Sequence, residues 1–264
     1  MDHADAHTES GASPPRVTGA EDTLELRLTE ELFTLLGDGG PPAPASPARR
    51  GSPGPRPSSA EAPPGAGEGR RAGTSGPVGD PAAWTPATTS AGVFRLVPVE
   101  PARDLAVISR WMNDPAVAAF WELAGPESVT AGHLRPQLEG DGRSVPCLGV
   151  LDGRPMSYWE IYRADLDPLA RHYPARPHDT GIHLLIGGVG NRGRGIGTVL
   201  LRAVADLVLD HRPRCARVVA EPDLRNTPSV SAFLSAGFRF SAEVELPGKR
   251  AALMVRDRAH RAQL

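Results

Sequence analysis

Arg192-Gly193-Arg194-Gly195-Ile196-Gly197 separates an apolar run, Gly181-Ile182-His183-Leu184-Leu185-Ile186-Gly187, from a segment whose apolar residues Val199, Leu200, Val204, Leu207 and Val208 recur at helical spacing. A buried strand that turns through glycines into an amphipathic helix commits this part of the chain to a sheet with helices packed on it. Glycine lets the main chain approach a ligand closely. The N–H groups of the helix's first turn, which have no intrahelical partner, face the same space at the positive end of the helix dipole. With two arginines added, the turn makes a site for phosphate or pyrophosphate. The plainer alternative is that the glycines serve turn geometry alone.

The flanking sequence fills in an α/β pattern. Residues 93–99 read as a strand, and 104–112 as a helix carrying Leu105, Ile108 and Trp111 on one face with Asp104 as its cap. Residues 128–138 form a second, weaker helix. Strands over 146–151 and 156–162 are joined by Asp152-Gly153, a pair that tolerates the positive φ angles of a tight hairpin. A polar, proline-containing stretch over 164–179 precedes the strand at 181–187. After the glycine turn and its helix come a strand at 216–221, a helix at 228–236 and strands at 238–244 and 251–255. Hairpin and crossover connections in one domain predict a mixed central β-sheet flanked by helices.

This domain is expected over 92–258, with 259–264 as a tail. Of the 28 prolines, fourteen precede residue 91, many of them within 41–73, where almost nothing apolar is available to offset the entropy of ordering the chain. Residues 1–91 are therefore expected to be a disordered arm. One island at 23–37 interrupts it: Leu24, Leu26 and Leu28 alternate as in a strand, and Leu32, Phe33, Leu35 and Leu36 follow at near-helical spacing. Two readings stand for it, a β-α fragment docked on the main domain or a partner-binding segment. Lys and Arg number 29 against 31 Asp and Glu, a formal net charge of −2, which argues against nucleic-acid binding by bulk charge. Two cysteines, Cys147 and Cys215, are too few for a disulfide framework. No secretory signal is recognisable at the N-terminus, and no apolar run approaches the ~20 residues that span a bilayer. The expectation is a cytoplasmic protein without a membrane partner.

Several phosphate ligands are conceivable for the turn. A P-loop ends in Gly-Lys-Ser/Thr, which is missing here, and a dinucleotide fingerprint belongs after the first strand, whereas this turn follows at least four. The spacing Arg-x-x-Gly-x-Gly resembles instead the acyl-coenzyme A signature of the GNAT N-acetyltransferase superfamily. Asn226, followed eleven residues later by Gly237-Phe238, is similar to a second GNAT segment. Further stretches resemble the hydroxamate-siderophore branch of that superfamily, which includes aerobactin N-hydroxylysine acetyltransferase, desferrioxamine acyltransferase and mycobactin lysine acyltransferase. These are Trp111-Met112-Asn113-Asp114-Pro115, Phe120-Trp121, Tyr158-Trp159-Glu160-Ile161-Tyr162, the His183 strand, Glu221-Pro222-Asp223-Leu224-Arg225-Asn226 and Leu246-Pro247-Gly248-Lys249.

The resemblance implies a GNAT fold and transfer of an acetyl or succinyl group from acetyl-CoA or succinyl-CoA to the N-hydroxylated side-chain amine of lysine or cadaverine, giving a hydroxamate. It further implies a pyrophosphate held by Arg192, Gly193, Arg194, Gly195, Ile196, Gly197 and Thr198, and a pantetheine aligned by the backbone of Leu185, Ile186 and Gly187. Asn226 and Phe233 would line the donor site. Phe233 stands where many GNAT enzymes carry a tyrosine near the departing sulfur, and a phenyl ring cannot protonate a thiolate. His183 is implied as the base with Asp223 as its partner. From pattern alone, His183 also reads as a satisfied structural histidine, and Asp223 as a turn or cap residue. Asn113, Trp121, Glu160 and Tyr162 are candidates for the acceptor pocket, with packing as the alternative for the aromatics. His172, His178 and Asp179 have no ligand spacing, so no metal is expected. Lys249 receives no role. Competing functions are a GNAT enzyme acting on an unhydroxylated amine, lysine or an antibiotic, and a non-catalytic acyl-CoA-binding module whose arm recruits partners.

Overall fold

A computed structural model describes residues 78–263. The island at 23–37 and the proposed partner-binding arm lie outside the described residues. Ordered structure begins earlier than the predicted boundary at 92. Val78 is buried, Trp84 stacks on His211 with ring centroids 5.5 Å apart, and the Thr85 N–H donates to His211 Nε2 at 3.2 Å. A large aromatic and its stacking partner supply the burial that the proline-rich composition conceals.

The strands are β1 (Ala87–Thr89), β2 (Gly92–Pro98), β3 (Ser144–Leu151), β4 (Arg154–Arg163), β5 (Thr180–Ile186), β6 (Arg217–Ala220), β7 (Arg239–Leu246) and β8 (Lys249–Asp257). They form one eight-stranded sheet in the order β1-β2-β3-β4-β5-β6-β8-β7. All neighbours are antiparallel except β5 and β6, which are parallel. The hairpin between β3 and β4 turns at Asp152 and Gly153, with φ of 46° and 78°, as the dipeptide predicts.

The helices are α1 (Pro101–Met112), α2 (Pro115–Trp121), α3 (Glu127–Leu138), α4 (Ile196–His211) and α5 (Thr227–Ser235). Helix α1 starts a turn earlier than its apolar spacing indicates, because Pro101 fits the first helical position. Asp104 is thus not the cap residue; its carboxylate reaches back and accepts the Glu100 N–H at 2.9 Å. Helix α2 is absent from the sequence reading. It is short, and Asp114 caps it by accepting the Ala116 N–H at 3.0 Å.

Strand alternation assigns the two faces. Trp159, Ile161 and Ile182 pack with Leu200, Leu201, Val204 and Val208 of α4. Tyr158 and Leu185 pack with Ile108, Trp111 and Met112 of α1 and Leu134 of α3. Each fully buried Leu or Ile contributes about 1.5–3 kcal/mol, so both faces are held firmly and the side chains between them are fixed in place. After β8 the chain enters a 3-10 turn, Arg258–Gln263, anchored by Arg258 Nε on the Cys215 carbonyl at 3.0 Å. No helix among the described residues is long and apolar enough to cross a membrane.

Candidate active site

Strands β5 and β6 pair only at Thr180↔Val218 and Gly181↔Val219. Beyond these, β6 ends at Ala220 while β5 continues to Ile186, and the two diverge. The β5 edge over 182–186 therefore has no ladder partner on that side, leaving main-chain groups that an extended ligand can pair with.

At one end of this cleft lies the glycine turn. Gly193 and Gly195 have φ of 69° and 76°, where L side chains are strained, and Gly195 caps α4. A Cβ built on either would meet nothing within 4 Å, so the space above the turn is open. Gly187 is required for a different reason: its Cβ would lie 2.2 Å from the Trp111 ring. Arg194 is exposed. Arg192 is not free to face a ligand with its whole guanidinium, because Nε donates to the Ile186 carbonyl at 3.0 Å and Nη1 to Asp114 Oδ1 at 2.8 Å.

At the other end is a cavity of about 270 Å³, whose lining includes Phe120, Trp121, Glu160, His183, Glu221 and Lys249. His183 and Glu160 are direct cross-strand partners and share a face. His183 Nδ1 donates to Glu160 Oε2 at 2.9 Å and Nε2 to Glu221 Oε1 at 2.5 Å. Burial works against the charge on the ring, but Glu221 and Glu160 outweigh it and push the imidazole up to about 10. Burial would likewise raise both carboxyls, yet Glu160 is held well below the usual carboxylate range by hydrogen bonds from His133 and His183, and Glu221 falls to about 2 beside the His183 cation.

Outer groups complete the cluster. Glu160 Oε1 accepts from His133 Nε2 at 2.5 Å, Tyr158 OH at 2.8 Å and Gln137 Nε2 at 2.8 Å. Glu221 Oε2 accepts from Tyr162 OH at 2.9 Å, and Lys249 Nζ donates to the Glu221 carbonyl at 2.7 Å. Trp121 stands edge-on to His183 with centroids 6.2 Å apart.

Several expected roles change. Asp223 lines the cavity but does not orient His183: its carboxylate is bound by Arg225, and Glu221, two residues earlier, fills that place. Both acids lie just after β6, and the local sequence does not say which one the diverging strands bring to the histidine. Asn113 is not in the cavity. Its amide donates to the Ser109 and Gly125 carbonyls and its oxygen accepts from the Gly125 N–H, each at 2.9 Å, so it pins the loop after α2. Tyr162 reaches the site through Glu221 rather than by facing the cavity. Asn226 caps α5 through the Ser229 N–H at 3.2 Å while also lining the cavity. Phe233 is 2% exposed and packs edge-on against Phe238, leaving only its rim in the lining. Leu185 turns its side chain into the core between the sheet and α1, so only its backbone remains for a ligand. His133 was missed because α3 carries little apolar periodicity. The i, i+4 spacing of His133 and Gln137, which places both on one helix face, was the available signal.

Residues 100–246 match the family described as Acetyltransferase (GNAT) domain. A lysine N-acyltransferase MbtK from Mycobacterium sp. (strain MCS) is 38% identical over 160 residues, covering 61% of this chain and 65% of that protein. An Escherichia coli protein named N(6)-hydroxylysine O-acetyltransferase is 38% identical over 167 residues, covering 63% of this chain and 52% of that one. The chain thus spans between about half and two thirds of the length of these curated relatives. Among solved structures, an uncharacterized protein from Bacillus halodurans superposes with a TM-score of 0.63 at 32% identity, over 68% of this chain and 93% of that one.

Proposed function

The chain belongs to the GNAT acetyltransferase domain family, and from that premise we propose that it transfers an acetyl or succinyl group from acyl-coenzyme A to the N-hydroxylated side-chain nitrogen of lysine or a cadaverine-like diamine. The product is a hydroxamate, whose paired oxygens chelate ferric iron, which suits siderophore assembly. The relatives named for lysine and hydroxylysine acylation support this acceptor class. The open turn from Arg192 to Thr198 takes the pyrophosphate on its main-chain N–H groups, and the unpaired edge of β5 takes the pantetheine.

One observation carries the preference for a hydroxylated acceptor. Both ring nitrogens of His183 are occupied by carboxylates, at 2.9 and 2.5 Å, so the ring offers no lone pair to a substrate. An alkylamine, with a pKa of ~10.4, arrives protonated and needs a base before it can attack. An N-hydroxyamine is far less basic and arrives neutral. As its nitrogen bonds to the thioester carbon and the C–S bond breaks, the N–H proton becomes acidic and the thiolate basic. Glu221 takes the proton from nitrogen beside the His183 cation, the coenzyme leaves as its thiolate, and the proton on Glu221 then passes to water, which restores the carboxylate and protonates the thiolate. In this reading the base is Glu221 rather than His183, the charged ring holds Glu221 in place where Asp223 was expected to act, and Phe233 contributes no acid.

Unhydroxylated lysine is the second reading, favoured by the name of the mycobacterial relative. Thiol release from acetyl-CoA and succinyl-CoA, measured with purified protein against N-hydroxylysine, N-hydroxycadaverine, lysine and an aminoglycoside, decides between them. A hydroxylated acceptor is expected to exceed its parent amine in kcat/KM by about tenfold or more. Equal or greater activity on lysine overturns the preference, and no release with any acceptor overturns the assignment.

A further inference from the structure

We infer that Arg192 is a positioning residue that ties the donor turn to the wall of the acceptor cavity through Asp114, so that coenzyme A on the turn firms the cavity for the acceptor. The inference rests on the proposed location of the coenzyme A site. Arg192 lies one residue ahead of the open glycines, and its side chain spans from the Ile186 carbonyl, at the end of β5, to Asp114 Oδ1. Its remaining guanidinium nitrogen, Nη2, is buried without a hydrogen-bond acceptor. A buried donor with no acceptor is unfavourable, so Arg192 holds this pose through its bonds to Ile186 and Asp114 alone, and a shift of the turn is passed along them.

Asp114 is the cap of α2. The same carboxylate oxygen that receives Arg192 accepts the Ala116 N–H at 3.0 Å, and the Asp114 carbonyl accepts from Val117 at 2.9 Å and Ala118 at 2.8 Å. The far end of α2 is Phe120 and Trp121, which line the cavity, and the Trp121 ring stands 6.2 Å from both His183 and His133 and 5.6 Å from Tyr158. After Trp121 the chain leaves the helix through Glu122 in the left-handed region, φ 55°, an uncommon conformation for a non-glycine residue. The helix is therefore strung between two clamps, Asn113 on Gly125 and Asp114 on Arg192. The first holds the loop. The second runs to the donor turn, and through it a ligand at the turn and the aromatic wall 114–121 share one arrangement.

Amide hydrogen exchange over 116–121 in the full-length protein, with and without coenzyme A, tests this directly. Coenzyme A is expected to slow exchange there about tenfold in the natural sequence, a size typical of coupling between sites. The slowing disappears in Asp114→Ser, where serine still caps α2 but is too short for Arg192, and in Arg192→Met. In both variants kcat/KM for the acceptor falls mainly through KM, by about five- to tenfold, and the double variant is no worse than either single one. Asp114→Asn keeps an oxygen in place and recovers most of the loss. Exchange in α2 that ignores coenzyme A, or additive losses in the double variant, overturns the inference. A protein that binds coenzyme A but acylates nothing breaks the proposed function and leaves the exchange comparison to decide this point. Failure to bind coenzyme A sinks both.

Discussion

The two ends of the cleft are built on opposite principles. The proposed donor end is main chain: glycines in left-handed conformations, open space above them and helix N–H groups, all within a few consecutive residues. The proposed acceptor end is side chain: His183 from β5, Glu160 from β4, Glu221 from beyond β6, His133 from α3 and Lys249 from β8, drawn from distant parts of the sequence into a hydrogen-bonded cluster. A local cradle tolerates substitution unless a Cβ intrudes. A charge cluster of this kind fails when one member goes, because the carboxylates left behind are buried without their counter-charge.

The sharpest test of that difference lies at the acceptor end. Replacing His183 with Ala is expected to lower acyl transfer by about a hundredfold or more, and Glu221→Gln by a comparable factor. Asp223→Asn is expected to cost much less, because its carboxylate serves Arg225 rather than the histidine. Steady-state rates of the three variants, with acceptor saturating, rank the roles. If Asp223→Asn matches His183→Ala while Glu221→Gln is mild, the proton pair has been assigned to the wrong acid.

The cluster should also leave a pH signature that the donor end lacks. The folded state raises His183 from its ordinary value of 6.5 to about 10, so its stabilising contribution is complete below about pH 6.5 and is lost as pH rises through about 10. Glu221 is depressed from 4.5 to about 2, so its contribution is present above about pH 4.5 and disappears as pH falls through about 2. Urea midpoints measured from about pH 6 to 10 should therefore decline more steeply for the natural protein than for His183→Gln, the two curves converging toward the alkaline end. Parallel curves mean that the ring is not held charged in the fold.

How much of this is readable in the sequence follows the same division. The turn at Arg192–Gly197 could be read as a strand-to-helix turn because its glycines lie close together in sequence, and the Asp152-Gly153 hairpin because two positive φ angles demand those residue types. The sheet was legible from apolar runs. The choice of Glu221 over Asp223 was not, since it depends on how far β5 and β6 part after two paired residues, a property of the whole sheet. His133 was obscured for a related reason: a helix with little apolar periodicity does not announce which face it buries, so its i, i+4 pairing with Gln137 is the one local clue. Asn113 misled because an asparagine at the end of α1 looks the same whether it faces a ligand or pins Gly125.

The smallest effects are expected at the donor end, and there two glycines separate packing from ligand space. Gly187→Ala drives a methyl group to within 2.2 Å of the Trp111 ring, a contact short enough to put its overpacking cost at about 3 kcal/mol or more. Gly195→Ala meets no neighbour and pays only for a left-handed alanine, about 1–2 kcal/mol. In thermal melts, Gly187→Ala should therefore be the less stable of the two, while Gly195→Ala should show the larger rise in KM for the acyl donor relative to its loss of stability. Gly195→Asn separates the two causes, because asparagine tolerates the left-handed region and returns stability toward that of the natural protein. Its side chain still projects into the open space, so the donor KM should stay raised. If the donor KM recovers together with stability, backbone strain alone explained the alanine result, and the ligand does not sit above Gly195.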